Sequence, residues 1–284
     1  MEWVLLNNTC FLKMLEYVRK PVEQDTARFL SNKKALERED FPSRPLTSIV
    51  AIIVSRSWWR RWLWDKLTEA LRESGYNKWE NKEPIISIDD LAFVRSILQS
   101  LYISSGINFW KEAIESLEFL ETKLREAGSI KAWSLEVYRA VKEQGTRWKG
   151  HPYVEGIKGL GFKGVNTLLR DLGYFDMAPI DIHERRFLIR TGIALRYGPP
   201  NRDPLDPEFY LEALRAFCRE ELKGVKILGV DLEGAPGIAD LVIWYFACTR
   251  ESEDCRGICS AEPKCNECPI RDCCTYYRLS ASLR

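Results

Sequence analysis

Long apolar runs are missing from this chain. The longest, residues 49–54 and 241–248, fall far short of the roughly 20 residues that a membrane-spanning helix needs. Residues 1–17 are apolar only in short pieces and lack a basic leader with a small-residue cleavage site. We therefore expect no membrane role and a protein that stays inside the cell, in the cytoplasm or nucleoid.

An excess of charge is missing as well, since the formal net charge is only +1. The chain as a whole is therefore not a polycation that coats nucleic acid regardless of structure. Basic residues do cluster locally, and such clusters can contact phosphates, although a charge run is more often a solvated surface. The clusters are Arg56/Arg60/Arg61, Arg147/Lys149/Lys158/Lys163 and Arg185/Arg186/Arg190.

Strand-like alternation of apolar and polar residues is scarce, and no repeat of fixed period appears, which argues against a solenoid. Apolar residues at helical spacing predict about eight helices and an all-α fold. With 45% hydrophobic residues, 284 residues suffice for one large or two modest domains. The predicted helices cover residues 48–71, 89–101, 108–126, 133–143, 163–172, 181–191, 207–222 and 237–249.

A glycine-containing turn precedes the predicted helix 163–172. Residues 157–166 read Ile-Lys-Gly-Leu-Gly-Phe-Lys-Gly-Val-Asn, and Gly159 and Gly161 allow a tight turn. Backbone N–H groups at a helix start can hold a DNA phosphate without base specificity, but a plain connection between helices explains such a turn equally well. Further along, Asp181 stands at the N-cap of the next predicted helix, a role that by itself requires no catalysis.

Together these two motifs resemble those of the helix-hairpin-helix DNA glycosylases, the superfamily of endonuclease III and the 8-oxoguanine glycosylases. In that family a Leu-Pro-Gly-Val-Gly-Arg-Lys hairpin is followed by a Val-Asp-Thr-His segment. Residues 157–163 and 180–183 match these in order and spacing, with Lys158 in place of the proline. The resemblance implies that Lys163 is the nucleophile that forms a Schiff base with the sugar, and that Asp181 stabilises the positive charge on it. It also implies that Lys158, Gly159 and Gly161 contact DNA.

Cysteines crowd residues 255–274. Such density in a chain expected inside the cell indicates a metal rather than disulfides. Four of them form a Cys-x5-Cys-x2-Cys-x5-Cys pattern similar to the four-iron, four-sulfur (4Fe-4S) site of endonuclease III, whose first gap is usually one residue longer. Cys255 and Cys273 are alternative ligands at the two ends, and zinc is the main alternative metal. The predicted ligands are Cys259, Cys265, Cys268 and Cys274.

Two further stretches of the sequence contain candidates for binding the damaged base. Residues 240–245 read Asp-Leu-Val-Ile-Trp-Tyr and resemble a helix of archaeal 8-oxoguanine glycosylases that lies close to the flipped base. Asp240 and Trp244 are therefore base-binding candidates, with a packed amphipathic helix as the alternative.

Enzymes that act on a base within a duplex extrude it and fill the gap. Residues 55–59 stand where relatives carry the gap-filling loop, which adds Arg56 as a DNA contact and Trp58 as a base-stacking candidate.

The resemblance implies an all-α, two-domain glycosylase fold with a C-terminal iron-sulfur cluster loop at 255–275. A helical barrel at 45–173 would contain the hairpin, and residues 1–44 with 174–284 would form the second domain. We expect a monomeric base-excision DNA N-glycosylase with AP lyase activity, acting on double-stranded DNA with a damaged base, first of all 8-oxoguanine or another damaged purine. The alternatives are an endonuclease III-like enzyme for oxidised pyrimidines and a non-catalytic DNA-binding iron-sulfur protein.

Overall fold

The structure is a computed structural model of the chain that describes residues 6–38, 43–55, 60–80, 82–145, 151–248 and 257–282. Helices dominate these residues, and their only strands form two short antiparallel hairpins. The predicted all-α class is confirmed. None of the described helices is long and apolar enough to cross a membrane.

Contacts divide the chain into two compact units. The central unit is Phe29–Tyr174, and the terminal unit combines Met1–Arg28 with Phe175–Arg284. The domain boundaries expected from the sequence stay a prediction.

The first helix, α1 (Asn8–Arg38), has no counterpart among the helices predicted from the sequence. Pro21 lies inside it. Proline lacks an N–H, and its ring collides with the carbonyl four residues earlier, so the helix has to bend there. The bend lies at Val18, whose backbone (φ −120°, ψ 16°) is not helical. The division between the two units falls within this helix, after Arg28.

Helix α2 forms the core of the central unit. The described elements of this unit are α2 (Ser43–Ser55), α3 (Arg61–Glu73), α4 (Leu91–Ser105), α5 (Asn108–Ala127), α6 (Ile130–Gln144), α7 (Phe162–Asp171), β1 (Trp79–Glu80) and β2 (Glu83–Pro84). The apolar run 49–54 lies in α2 with every side chain buried, and α2 packs against α3, α5 and α7. A helix that is apolar all round belongs inside a protein.

The expectation of a single helix over residues 48–71 is wrong. Helix α2 ends at Ser55, Arg60 has a non-helical backbone (φ −120°, ψ 56°), and α3 begins at Arg61. As a separate helix, α3 can turn its own apolar stripe inward. The buried residues of that stripe are Leu63, Trp64, Leu67 and Leu71.

The C-terminal end of α7 is bound by a buried side chain of α1. Asn32, which is 2% exposed, donates from Nδ2 to the carbonyl oxygen of Asp171 at 2.8 Å and to Ser48 Oγ at 3.0 Å. The last carbonyls of a helix have no partner within the helix itself. Asn32 supplies that partner where water is excluded, and it thereby fixes the helix that follows the glycine turn.

Helix α11 forms the core of the terminal unit. The further described elements of this unit are α8 (Ile182–Arg190), α9 (Ile193–Tyr197), α10 (Pro207–Glu221), β3 (Lys226–Ile227), β4 (Val230–Asp231), α11 (Pro236–Ala247) and α12 (Thr275–Ser282). Helix α11 is buried along almost its whole length and packs against α8 and α10. Phe187 of α8 meets the ring of Phe246 edge to face, with 6.2 Å between centroids.

Replacing Asn32 with leucine preserves its volume but leaves the Asp171 carbonyl and the Ser48 hydroxyl without this donor. We expect the free energy of unfolding to fall by about 1–3 kcal/mol, as for other buried polar groups that lose a partner. Urea denaturation followed by circular dichroism measures the change. Asn77→Leu, at an exposed position, is the control, and equal losses in both variants would contradict the role given to Asn32.

Candidate functional site

The turn that precedes α7 exposes its polar backbone and buries its apolar side chains. Lys158, Gly159 and Gly161 are exposed. The Lys158 N–H donates to the hydroxyl of Ser116, a buried residue of α5, at 2.9 Å. The turn is therefore anchored from beneath while its outer surface stays open. The buried apolar residues are Val154, Ile157 and Leu160.

The two glycines of the turn have different structural roles. Gly159 has φ +74°, a left-handed conformation that is costly for any residue with a Cβ. Gly161 is the N-cap of α7 with an extended backbone and no side chain to cap the first turn. A Cβ built on Gly161 would have no heavy atom within 4 Å. The space in front of the helix start is therefore open, as an approaching phosphate would require.

Lys163 lies in the first turn of α7, directly behind this opening. Its side chain is half-buried, and its carbonyl oxygen accepts a hydrogen bond from Thr167 Oγ1 at 2.9 Å. The next turns of α7 are buried. The lysine thus stands on a rigid helix at its accessible end.

Asp181 is the N-cap of α8, as the sequence predicts. Its Oδ1 accepts from the His183 N–H at 2.7 Å, and Glu184 Oε2 accepts from the Asp181 N–H at 2.8 Å, which completes a capping box. Ile180 and Ala178, just before the cap, are buried. The Asp181 carboxylate is half-exposed at the end of a well-anchored segment.

Asp240 and Trp244 lie one turn apart on α11 but differ in accessibility. Asp240 is 1% exposed, whereas Trp244 is half-exposed and meets the ring of Tyr245 edge to face. The Tyr245 hydroxyl in turn donates to Asp25 Oδ2 of α1 at 2.8 Å. Of the two base-binding candidates, only the indole ring has accessible surface in this conformation.

Arg190, at the C-terminal end of α8, binds residues 257–274, which we call the cysteine segment. Its guanidinium donates to the carbonyl oxygens of Ser260 at 2.6 Å and Ala261 at 3.1 Å. It also lies 3.7 Å from Cys259 Sγ. The Arg190 carbonyl accepts from the Cys274 thiol at 3.6 Å. Sequence reasoning grouped Arg190 with phosphate-binding arginines and missed this contact, because no local pattern reports a pairing 70 residues apart.

The predicted ligands Cys259, Cys265, Cys268 and Cys274 are all free thiols. Burial, and to a smaller extent the negative charge of the other three thiols, raises the pKa of the Cys268 thiol to about 12. Burial likewise raises the pKa of Cys259 and of Cys274. The four sulfur atoms are therefore close enough to interact electrostatically. Among the described side chains, no three metal-binding groups converge closely enough to hold a single ion.

Cys273, which the sequence offers as an alternative ligand, is joined to Cys10 of α1 by a disulfide. Cys248 is disulfide-bonded as well. The expectation of metal rather than disulfides is therefore wrong for Cys273. The reason is spatial, because the pairing spans 263 residues and cannot be read from local spacing. The other alternative ligand, Cys255, lies outside the described residues.

The basic and aromatic candidates fall into different environments. The Arg185 guanidinium lies over the Tyr210 ring, 5.5 Å from its centroid, and so already has a partner within the terminal unit. Trp64 is buried, whereas Trp62 is 43% exposed. Arg56 and Trp58 lie outside the described residues.

Several curated proteins are similar to part of this chain. An 89-residue part is 36% identical to an 8-oxoguanine DNA glycosylase/AP lyase of Saccharolobus solfataricus, covering 31% of this chain and 38% of that protein. Proteins of the same name from Saccharolobus islandicus and Aquifex aeolicus are 37% and 38% identical over 90 residues. The predicted resemblance to the DNA glycosylases is confirmed. The match spans 38% and 34% of the lengths of these two glycosylases. No protein-family model and no solved structure matches the chain.

Replacing Gly159 and Gly161 with alanine, one at a time, should separate an effect on folding stability from an effect on phosphate binding. Gly159→Ala forces a Cβ into a left-handed backbone and should cost about 1–2 kcal/mol of stability. Gly161→Ala fits the backbone and meets no neighbour, so we expect an unchanged melting temperature but several-fold weaker binding to duplex DNA. Fluorescence anisotropy at fixed salt measures the affinity. Undiminished affinity in Gly161→Ala would contradict phosphate binding at this opening.

Arg190→Lys keeps the positive charge but removes the planar fork that binds two carbonyl oxygens. The cysteine segment should then open more often, with its stability against local unfolding lowered by about 1–3 kcal/mol. Limited trypsin digestion reports this opening as faster cleavage after the exposed Lys264. The control is Arg196→Lys, because Arg196 contacts Glu221 in a half-exposed ion pair and lies over the Tyr197 ring, both outside the cysteine segment. Equal cleavage rates in the two variants would refute the anchoring role.

Proposed function

We propose that this protein is a base-excision DNA N-glycosylase with AP lyase activity, and that its first substrate is duplex DNA containing 8-oxoguanine. The observation that carries the proposal is Lys163, half-buried at the start of α7 behind the open glycine turn. The partial similarity to 8-oxoguanine DNA glycosylase/AP lyases supports it. Such a substrate would confine the activity to the inside of the cell.

Lys163 is the proposed nucleophile. Its neutral amine attacks C1′ of the damaged nucleotide, and the base departs with the electron pair of the glycosidic bond and a proton. The lysine nitrogen and C1′ then form a Schiff base as the sugar ring opens. From this species the DNA strand is cleaved by β-elimination. The adjacent opening at Gly161 would hold a backbone phosphate and so bring the sugar to the amine.

Asp181 is proposed to stabilise the positive charge that develops on the sugar as the base leaves. A carboxylate held by its own helix cap does not have to reorganise when this charge appears. The same carboxylate also accepts a hydrogen bond from the His183 N–H. Capping and charge stabilisation are therefore compatible, and an experiment has to separate them.

The proposed cofactor is a 4Fe-4S cluster on the predicted ligands of the cysteine segment. The donor set fits in kind, because the four predicted ligands are free thiols within one short segment, and four cysteine thiolates are the usual ligands of such clusters. When bound, the cluster would cross-link the segment through iron–sulfur bonds. Arg190 would hold the Cys259 end of the segment on α8 in either state.

The decisive experiment incubates the protein with labelled duplexes, each bearing one lesion, and adds borohydride to trap a Schiff base. The lesions are 8-oxoguanine, hypoxanthine, thymine glycol, uracil and an alkylated purine. We expect a covalent adduct with the 8-oxoguanine duplex that disappears in Lys163→Ala. An adduct with thymine glycol alone would redirect the substrate to oxidised pyrimidines.

Asp181→Asn is the matched variant for the second residue. Asparagine caps a helix about as well as aspartate, so the melting temperature should stay the same while base release falls by several orders of magnitude. Asp206→Asn, which changes the N-cap of α10 in the same way, controls for loss of charge at a cap. If the wild-type protein releases the base but forms no covalent adduct, Lys163 is not the nucleophile. If it gives neither base release nor an adduct on any of the duplexes, the result favours a non-catalytic DNA-binding protein.

Iron and zinc are distinguished by colour and metal analysis. We expect a brown protein with broad visible absorption, about four irons per chain, and loss of both after Cys268→Ser. Lys264→Ser, a change in the same segment at a side chain without a thiol, should retain them. A colourless protein with stoichiometric zinc would refute the cluster.

A further inference from the structure

The disulfide between Cys10 and Cys273 joins the two ends of the described chain within the terminal unit. Cys10 lies in the first turn of α1 and is 3% exposed, and Cys273 is 9% exposed. Next to Cys10, Phe11 is buried and its ring lies 6.1 Å from that of Phe217 in α10. The disulfide therefore attaches the cysteine segment to a helix that is itself packed into the core.

Cys273 and Cys274 are neighbours in sequence but face different partners. Cys273 ends the 3-10 turn Arg271–Cys273, and its N–H donates to the carbonyl of the buried Ile270 at 2.9 Å. Cys274 follows this turn with an extended backbone (φ −101°, ψ 116°). Cys273 is directed to α1, whereas the Cys274 thiol donates to the Arg190 carbonyl and interacts with Cys259 and Cys265.

We propose that the Cys10–Cys273 disulfide selects Cys274 as the fourth cluster ligand and holds the cysteine segment in the shape that retains the cluster. This rests on the proposed cofactor. Once Cys273 is bound to Cys10, it is removed from competition with its neighbour. Together with Arg190 at Cys259, the disulfide fixes the segment at both ends. The four ligands therefore lose less conformational entropy when the cluster binds.

The linkage makes cluster retention sensitive to redox state. Oxidation joins two thiols with the loss of two electrons and two protons to an oxidised dithiol or disulfide compound. A dithiol such as dithiothreitol reverses this by two successive exchanges and is itself oxidised to a cyclic disulfide. Because both sulfur atoms are buried, exchange has to await opening of the segment. Reduction then frees Cys273 beside Cys274 and detaches the segment from α1.

The first test maps the bond in the intact chain of residues 1–284. Free thiols are alkylated with iodoacetamide under denaturing conditions without reductant, and the protein is digested with trypsin. Mass spectrometry should find residues 1–13 linked to residues 272–278, with the label on Cys274. Alkylation of both Cys10 and Cys273 would overturn the proposal, as would a link through Cys274.

The second test compares Cys10→Ser and Cys273→Ser with the control Cys218→Ala, which removes a buried free thiol outside the segment. The readout is the rate at which visible absorbance is lost to an iron chelator. Both serine variants should lose absorbance several-fold faster than the control, and to the same extent. Retention as in the control would overturn the anchoring role. Loss confined to Cys273→Ser would instead make Cys273 a ligand and overturn the selection of Cys274.

The third test needs no cluster. Metal-free Cys248→Ser protein, which lacks the second disulfide, is melted with and without dithiothreitol, and reduction should lower the midpoint by roughly 5–15 °C. An unchanged midpoint, with reduction verified by thiol counting, would overturn the anchor. A protein that binds no iron but shows the linked peptides and this shift would refute the proposed cofactor while the anchor stands.

Discussion

The capping box of Asp181 and Glu184 is the interaction on which the predicted site in the terminal unit depends. It starts α8 at one defined residue. Everything that α8 binds is thereby fixed in register: Phe187 against Phe246 of α11, and Arg190 against the cysteine segment. A displacement of the helix start by one residue would rotate each of these contacts by about 100° around the helix axis. A short helix that is capped at its start and held by Phe187 in the core does not allow that freedom.

The cysteine segment depends on attachments more than on a core of its own. Its regular structure consists of two 3-10 turns, and few of its side chains are buried. Small segments of this kind cannot offset their loss of conformational entropy by apolar burial. Arg190 binds its first part through backbone carbonyls, and the disulfide at Cys273 binds its last part. Polar and covalent contacts take the place that hydrophobic packing has elsewhere in this unit.

Sequence patterns predicted local features well and distant pairings poorly. Helix α5 (Asn108–Ala127) follows the predicted residues 108–126 closely, because a regular apolar stripe is sufficient for a helix. The N-cap role of Asp181 was predicted because capping involves neighbours in sequence. Helix α1 was missed since Pro21 interrupts its pattern, and one predicted helix proved to be two because Arg60 leaves the helical region. The contacts of Cys273 and Arg190 join residues remote in sequence, for which periodicity carries no information.

The bond between Cys10 and Cys273 has a topological consequence. With a sequence separation of 263 residues, it closes residues 10–273 into a covalent ring. A protease that cuts once inside this ring opens it but releases no fragment. Nicked molecules therefore migrate near full mass on a gel until a thiol reductant is added, and only then separate into two pieces. The non-reduced lane alone would misreport an interrupted chain as intact, so the state of the backbone and the state of this bond have to be read by comparing reduced and non-reduced samples.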